Sequence, residues 1–276
     1  MAADLETTLA TIDTWGADHA AAALVGPAGT IAQHGDADRI YRWASVTKLA
    51  TALAILTAVD DGSIDIDESA GPPGSTVRHL LAHTSGLPFD GEAVLAKPGT
   101  RRIYSNAGFD VLGTLLEARD DRPFAVALTD RVLAPLGMAG SELLERPSDG
   151  LHGPLTDAIA LARELIRPTL VTEATYETAT TVTFPGLKGV LPGVGSFDPL
   201  DWGLGVEIRD AKSPHWTGTH NSPATFGHFG GAGTFLWVDP AIDRALVTLT
   251  DRKFDRWALE AWPPFSDAVI HSQRGG

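Results

Sequence analysis

The sequence contains no cysteine. Disulfides, thiolate catalysis and thiolate-held metals are therefore excluded, and the redox character of the compartment cannot be read from it. There is no run of Lys or Arg, and 21 bases against 35 acids leave a net charge of -14. A field of that sign repels phosphate backbones and anionic lipid surfaces, so neither nucleic acid nor a membrane is an expected partner. No apolar run approaches the length of a membrane span, and the N-terminal MAADLETTLATIDTWG carries acids where a signal peptide carries bases. The expected location is the cytoplasm. No G-x-S-x-G elbow occurs, which argues against an α/β-hydrolase. His79 and His83 have metal-ligand spacing, but no glutamate lies between them and no third ligand is evident, so no metal and no cofactor is expected. Hydrogen-bonded histidines anchoring the turn His83-Thr84-Ser85-Gly86 are the simpler reading.

What is present is a chain of 276 residues, 43% hydrophobic, able to bury a large core as one domain or two intimately joined lobes. Leu5, Leu9, Ile12 and Trp15 predict a short amphipathic helix. Ala20–Val25 and Thr30–Gln33 around Gly26-Pro27-Ala28-Gly29 predict a hairpin, and Ile40–Trp43 a third strand. Helices are predicted from near Ser45 to Gly62, from Thr76, from Gly108, over Pro123–Met138 and over Thr156–Ile166. Residues 168–200, rich in Thr, Gly and Pro, show no usable periodicity. Trp202–Arg209, Thr234–Val238 and Ala245–Thr250 read as strands, and Arg256–His271 as a closing helix. Strands at both ends with helices between predict an antiparallel sheet built from the two termini, an inserted helical lobe, and a site in the cleft.

Ser45 and Lys48 stand three residues apart at the start of the predicted central helix, with hydroxyl and amine on one face. Lys48 is the only charge between Arg42 and Asp60. Burial there depresses an amine's pKa, and a free amine beside a hydroxyl is a base for a nucleophile. The helix N-terminus adds roughly half a positive charge where an oxyanion forms. On these residues alone a second reading stands, in which Ser45 caps a core helix and Lys48 snorkels to water. Tyr104-Ser105-Asn106 lies at a loop-to-helix junction. Its polar tips either face a cleft, or the ring packs while Asn106 caps the helix.

Ser45-Val46-Thr47-Lys48, Tyr104-Ser105-Asn106 and His228-Phe229-Gly230 stand in that order along the chain. The set resembles the serine β-lactamase and penicillin-binding protein superfamily, in the branch of class C β-lactamases, D-aminopeptidases and β-lactamase-like esterases. The stretches 76–88, 99–113, 135–138 and 233–240 share the likeness. The resemblance implies an α+β, β-lactamase/transpeptidase-like fold with an inserted all-α lobe. As one catalytic unit over residues 1–276, residues 1–44 and 200–276 then make the α/β lobe and 45–199 the helical lobe.

It also implies Ser45 as the acylated nucleophile and Lys48 and Tyr104 as the proton-handling pair, with the identity of the base open. Asn106 binds substrate and steadies Lys48; His228, Phe229 and Gly230, on the facing strand, also bind substrate; and the amides of Ser45 and Gly231 form the oxyanion hole. Two departures matter. His228 stands where many relatives carry lysine, and Phe229 replaces a Thr or Ser whose hydroxyl contacts a substrate carboxylate. No counterpart of the class A glutamate loop is evident. The expected function is hydrolysis of small esters or amides through an acyl-serine, with weak or no β-lactamase activity. The alternatives are hydrolysis of β-lactams or D-amino peptides, acyl transfer on the same fold, and a non-catalytic binding module. Phe229 with Trp43, Trp202 and Trp237 suggests an apolar acyl pocket. The oligomeric state is not set by the sequence.

Overall fold

A computed structural model describes residues 2–274 of the chain. In chain order the framework is α1 (Ala2–Leu9), β1 (Ala20–Gly26), β2 (Gly29–His34), β3 (Tyr41–Arg42), α2 (Thr47–Asp60), α3 (Val77–Leu81), β4 (Arg102–Ile103) and α4 (Asn106–Asp120). There follow α5 (Phe124–Leu128), β5 (Glu142–Leu143), β6 (Leu151–Gly153), α6 (Leu155–Ile166), α7 (Glu173–Ala179), β7 (Gly189–Leu191) and β8 (Gly195–Phe197). The chain closes with β9 (Glu207–Ile208), β10 (Phe226–Gly230), β11 (Thr234–Asp239), β12 (Arg244–Thr250) and α8 (Arg256–Arg274).

The main sheet is antiparallel with strand order β2-β1-β12-β11-β10-β9, so the N-terminal hairpin pairs with the C-terminal strands. Successive side chains on a strand point to opposite faces. Ala21, Ala23 and Val25 thus join Val247 and Leu249 in a core shared with α2 and α6, while Ala22 and Leu24 join Leu246, Phe235 and Trp237 under α1 and α8. Every described residue of β1 beyond Ala20 is buried, as a strand covered on both faces requires. The antiparallel sheet from both termini, flanked by helices and with a helical region between, is the fold class the sequence implied. The region between also carries two small sheets, β3-β6-β5 and β4-β7-β8, the latter pairing β4 with β7 in parallel.

Helix α2 is buried nearly all round, which marks a helix enclosed by protein instead of one with a solvent face. Two predicted elements are shorter than read. The Pro123–Met138 segment is helical only to Leu128 and continues as a π-type turn, Thr129–Leu133. Of Trp202–Arg209 only Glu207 and Ile208 join the sheet, because Trp202 bridges back to Glu207 inside the same segment. Among the described residues no helix is long and apolar enough to cross a membrane.

Candidate active site

Ser45 lies on a tight 3-10 turn, Ala44–Val46, that precedes α2. The turn is held from behind. The Trp43 indole N–H donates to the Gly153 carbonyl at 3.0 Å, and the Trp43 carbonyl accepts from Val46 N–H at 3.2 Å and from the Thr234 hydroxyl at 2.8 Å. Ala44 has φ +47°, a left-handed conformation that costs a non-glycine residue on the order of 1–3 kcal/mol and persists only where surroundings enforce it. The result is a serine presented outward. Between Trp43 and Leu56 it is the one residue not buried.

Lys48, one turn on, is completely buried. Its Nζ donates to Asn106 Oδ1 at 2.6 Å, to the Ser148 carbonyl at 2.8 Å and to Ser45 Oγ at 3.4 Å. Burial pushes the amine down to about 7, against the opposing pull of Asp149, Asp110 and Asp90. The ammonium does not snorkel. It sits among acceptors, close enough to neutrality to take a proton.

Tyr104 is buried, with the Ser45 hydroxyl beside its phenol and its ring 4.8 Å from Lys48 Nζ. Burial raises its pKa above the ordinary phenol value. The Ser105 hydroxyl caps α4 by accepting from Gly108 N–H at 2.9 Å, so the first residue of that helix, Asn106, aims its amide at Lys48. His83 supports this junction. Its carbonyl accepts from Ile103 N–H at 2.8 Å and its Nδ1 from Ser105 N–H at 3.1 Å. A backbone N–H can only donate, so the neutral His83 ring carries its proton on Nε2. His79 instead hydrogen-bonds Thr76 and stacks on Phe184. Among the described residues no grouping of His, Asp and Glu could hold a metal ion.

Across the cleft, His228 Nδ1–H donates to the Phe229 carbonyl at 2.7 Å, leaving Nε2 as an acceptor 3.4 Å from the Tyr104 hydroxyl. Burial, then the nearby Lys48 charge, lowers its pKa to about 3, so the ring is neutral in ordinary buffers. It offers no cation to a substrate carboxylate.

Ser45, Tyr104, His228, Phe229 and Gly231 border one cavity of about 220 Å³. Its remaining walls are Phe89, Leu191, Pro192, Gly193 and Phe254. Lysine and arginine are absent from these walls. Gly230 does not face the cavity. A Cβ there would lie 2.4 Å from the Trp43 carbonyl and 3.1 Å from Ala44 Cβ, so its bareness lets β10 close on the serine turn. The aromatic lining is phenylalanine, not tryptophan. Trp43 and Trp237 are tied to Gly153 and Ser266 in the core, and Trp202 packs behind His83, Tyr104 and His228.

Phe89, Phe254 and the 191–193 turn carried no sequence signal. The segments on either side of that turn are anchored by Arg102, a buried guanidinium that donates to the carbonyls of Leu200 (2.6 Å), Thr183 (2.7 Å), Phe184 (3.0 Å) and Ala82. A larger cavity of about 750 Å³ lies between the 69–72 loop and α4, but it contains none of Ser45, Lys48 and Tyr104. Volume alone does not make it reactive.

The sequence profile of the Beta-lactamase family matches residues 19–264. A crystal structure of a β-lactamase from Mycobacterium bovis, Mb2281c, is 51% identical and superposes with a TM-score of 0.94 over 96% of this chain and 98% of that one. Among curated relatives, esterase EstB of Burkholderia gladioli is 29% identical over 89% of this chain and 91% of its own length. The D-alanyl-D-alanine-carboxypeptidase/endopeptidase AmpH of Escherichia coli K12 is 26% identical over 40% of this chain, a match spanning 38% of its own length.

Proposed function

The chain belongs to the beta-lactamase family, and from that premise we propose that it is a serine hydrolase of small uncharged esters or amides, working through an acyl-enzyme on Ser45. One observation carries the reading. An outward serine, a buried amine with a pKa of about 7 and a protonated phenol converge on an apolar cavity whose walls hold no cation. Neutral Lys48 takes the Ser45 proton as Oγ attacks the acyl carbonyl. The developing oxyanion lies at the Ser45 and Gly231 amides, donors of a kind typically worth on the order of 10²–10³ in rate. Tyr104, acid and not base at neutral pH, gives its proton to the leaving group and regains one from Lys48. Water then enters and attacks the acyl carbonyl as it loses a proton to Lys48, and the acid leaves as the Oγ–acyl bond breaks and Ser45 takes that proton back. Asn106 holds the amine at the correct place through both halves.

A substrate carboxylate, as on a β-lactam or a peptide C-terminus, meets neutral His228 and Phe229 in this cavity. An unpaired charge of that kind costs roughly 1.5–3 kcal/mol in lost hydrogen bonding, so β-lactam turnover is slow or absent. The identity with the M. bovis protein, called a β-lactamase, supports the opposite reading, and one experiment separates the two. Purified protein is given p-nitrophenyl butyrate or benzylpenicillin and followed by rate and by intact mass. Ester turnover with a butyryl adduct, both lost in Ser45→Ala, supports the esterase reading. Faster turnover of penicillin than of the ester refutes it, as does a Ser45→Ala enzyme of unchanged rate.

A further inference from the structure

Phe89 and Phe254 both line the cavity, and each is bonded to a different part of the machinery. The Phe254 N–H donates to the Gly231 carbonyl at 3.0 Å, tying it to the oxyanion side. The Phe89 ring lies 5.7 Å from Tyr104, and the Phe89 carbonyl accepts from Asn106 N–H at 2.8 Å. With the leaving group at Tyr104, beside Phe89, the acyl chain is left the other aromatic wall, Phe229 and Phe254.

Phe254 is half-buried and braced by other aromatic rings. Its ring packs 4.8 Å from Phe229 and 5.3 Å from Trp262. The turn above it reaches the ring only because residue 193 is glycine: φ is +76°, and a Cβ would stand 2.5 Å from Phe254 Cε1. A dry cavity of roughly 150 Å³ accepts benzene. One of about 220 Å³ that also holds the reacting carbonyl accepts a benzoyl group or an acyl chain of roughly four to six carbons.

We propose that Phe254 is the specificity-determining residue for the acyl group, setting a short-chain or single-ring limit, while Phe89 faces the leaving group. This rests on the hydrolase reading above and refines its substrate class. No covalent step changes; only the size of the group delivered to Ser45 is fixed.

The test measures kcat/KM for p-nitrophenyl acetate, butyrate, hexanoate and octanoate, and for 4-methylumbelliferyl butyrate as a change of leaving group. Wild type peaks at butyrate or hexanoate. Phe254→Ala raises the octanoate-to-butyrate ratio about tenfold and leaves the methylumbelliferyl-to-nitrophenyl ratio within about twofold, the scale a few methylenes are worth in an apolar pocket. Phe254→Trp lowers the hexanoate-to-acetate ratio, and Phe89→Ala moves the leaving-group ratio instead. Phe254→Leu, checked by circular dichroism, replaces the alanine variant should that one not fold. An active wild type whose acyl profile is unmoved by these Phe254 changes overturns the inference alone. A wild type with no Ser45-dependent turnover or adduct overturns the hydrolase reading, and the inference with it.

Discussion

His83 grips the chain on both sides of Tyr104, its carbonyl holding the Ile103 amide and its Nδ1 holding the Ser105 amide, with the two rings 4.6 Å apart. The ring must stay neutral to accept from Ser105. Burial, then the Lys48 charge, holds its pKa well below the ordinary histidine value. The first expected outcome concerns acid stability. The unfolded chain takes up a proton at His83 below about pH 6.5 while the folded chain refuses it, so folding stability falls as pH drops from there. Buried His228, at about 3 in the fold, adds a drop of the same sign between about 6.5 and 3. His83→Ala costs about 2–4 kcal/mol at pH 8, and its Tm gap to wild type narrows as pH falls. A gap that stays constant from pH 8 to 4 contradicts this.

A second outcome follows from Lys48. The amine must be neutral to accept the Ser45 proton, so kcat/KM rises with pH with a midpoint near 7, the value burial imposes. Replacing its amide partner by a carboxylate, Asn106→Asp, favours the ammonium and moves that midpoint up by about 1–3 units. The linkage to stability has a definite sign. Between about 7 and the ordinary lysine value of about 10.4 the unfolded chain holds a proton the folded chain has shed, so rising pH across that window stabilises wild type relative to Lys48→Met. A pH–rate profile flat from 6 to 8, or an Asn106→Asp midpoint moved down, contradicts the assignment.

These groups differ in how far the sequence reveals them. Ser45, Lys48, Tyr104 and Asn106 were legible because the strings Ser45-Val46-Thr47-Lys48 and Tyr104-Ser105-Asn106 stand in a family-like order with His228-Phe229-Gly230, each at or just ahead of a helix or strand. The hairpin and the C-terminal strands were legible from apolar runs broken by Gly and Pro turns, and α8 from its helical period. The wall of the cavity was not. β7 and β8 are three residues each, too short to show alternation, and β7 is placed by a parallel pairing to β4, 87 positions away. Arg102 holds the carbonyls of residues 183, 184 and 200, yet the second of two adjacent arginines, Arg101-Arg102, carries no sequence mark of burial. Gly230 illustrates a different limit: its position was legible in the string His228-Phe229-Gly230, but its contact is with Trp43 and Ala44, a long-range packing fact.

Tyr104 supplies a third outcome. Its phenol stays protonated through the working range because burial raises its pKa, so the proposed mechanism uses it as a donor. Tyr104→Phe lowers kcat/KM for an alkyl ester by about 10²–10⁴, the usual worth of a positioned acid. For p-nitrophenyl esters, whose leaving group departs without a proton, the loss is smaller. Equal losses on ethyl and p-nitrophenyl butyrate show that the phenol does not protonate the leaving group.

Gly230 gives the last outcome. It pairs with Thr234 at the end of β10, where a Cβ would meet the Trp43 carbonyl at 2.4 Å, Thr234 Oγ1 at 2.5 Å and Ala44 Cβ at 3.1 Å. Two of those three atoms belong to the residues that aim Ser45, and Ala44 already sits at φ +47°. Gly230→Ala must therefore push the serine turn away from β10 or bend the strand. Overpacking of this kind costs about 1–3 kcal/mol. A displacement near 1 Å at a reacting group costs about 10²-fold in rate, so kcat falls even where the variant is fully folded at the assay temperature. Gly231→Ala is the control, since a Cβ there meets nothing within 4 Å of it, at a residue that borders the cavity. Its folding stability stays within about 0.5 kcal/mol of wild type, while KM rises as the methyl group takes substrate space. Thermal melts and steady-state kinetics on the two variants distinguish these effects. A Gly230→Ala enzyme with wild-type Tm and kcat removes the claim that close approach of β10 sets the serine.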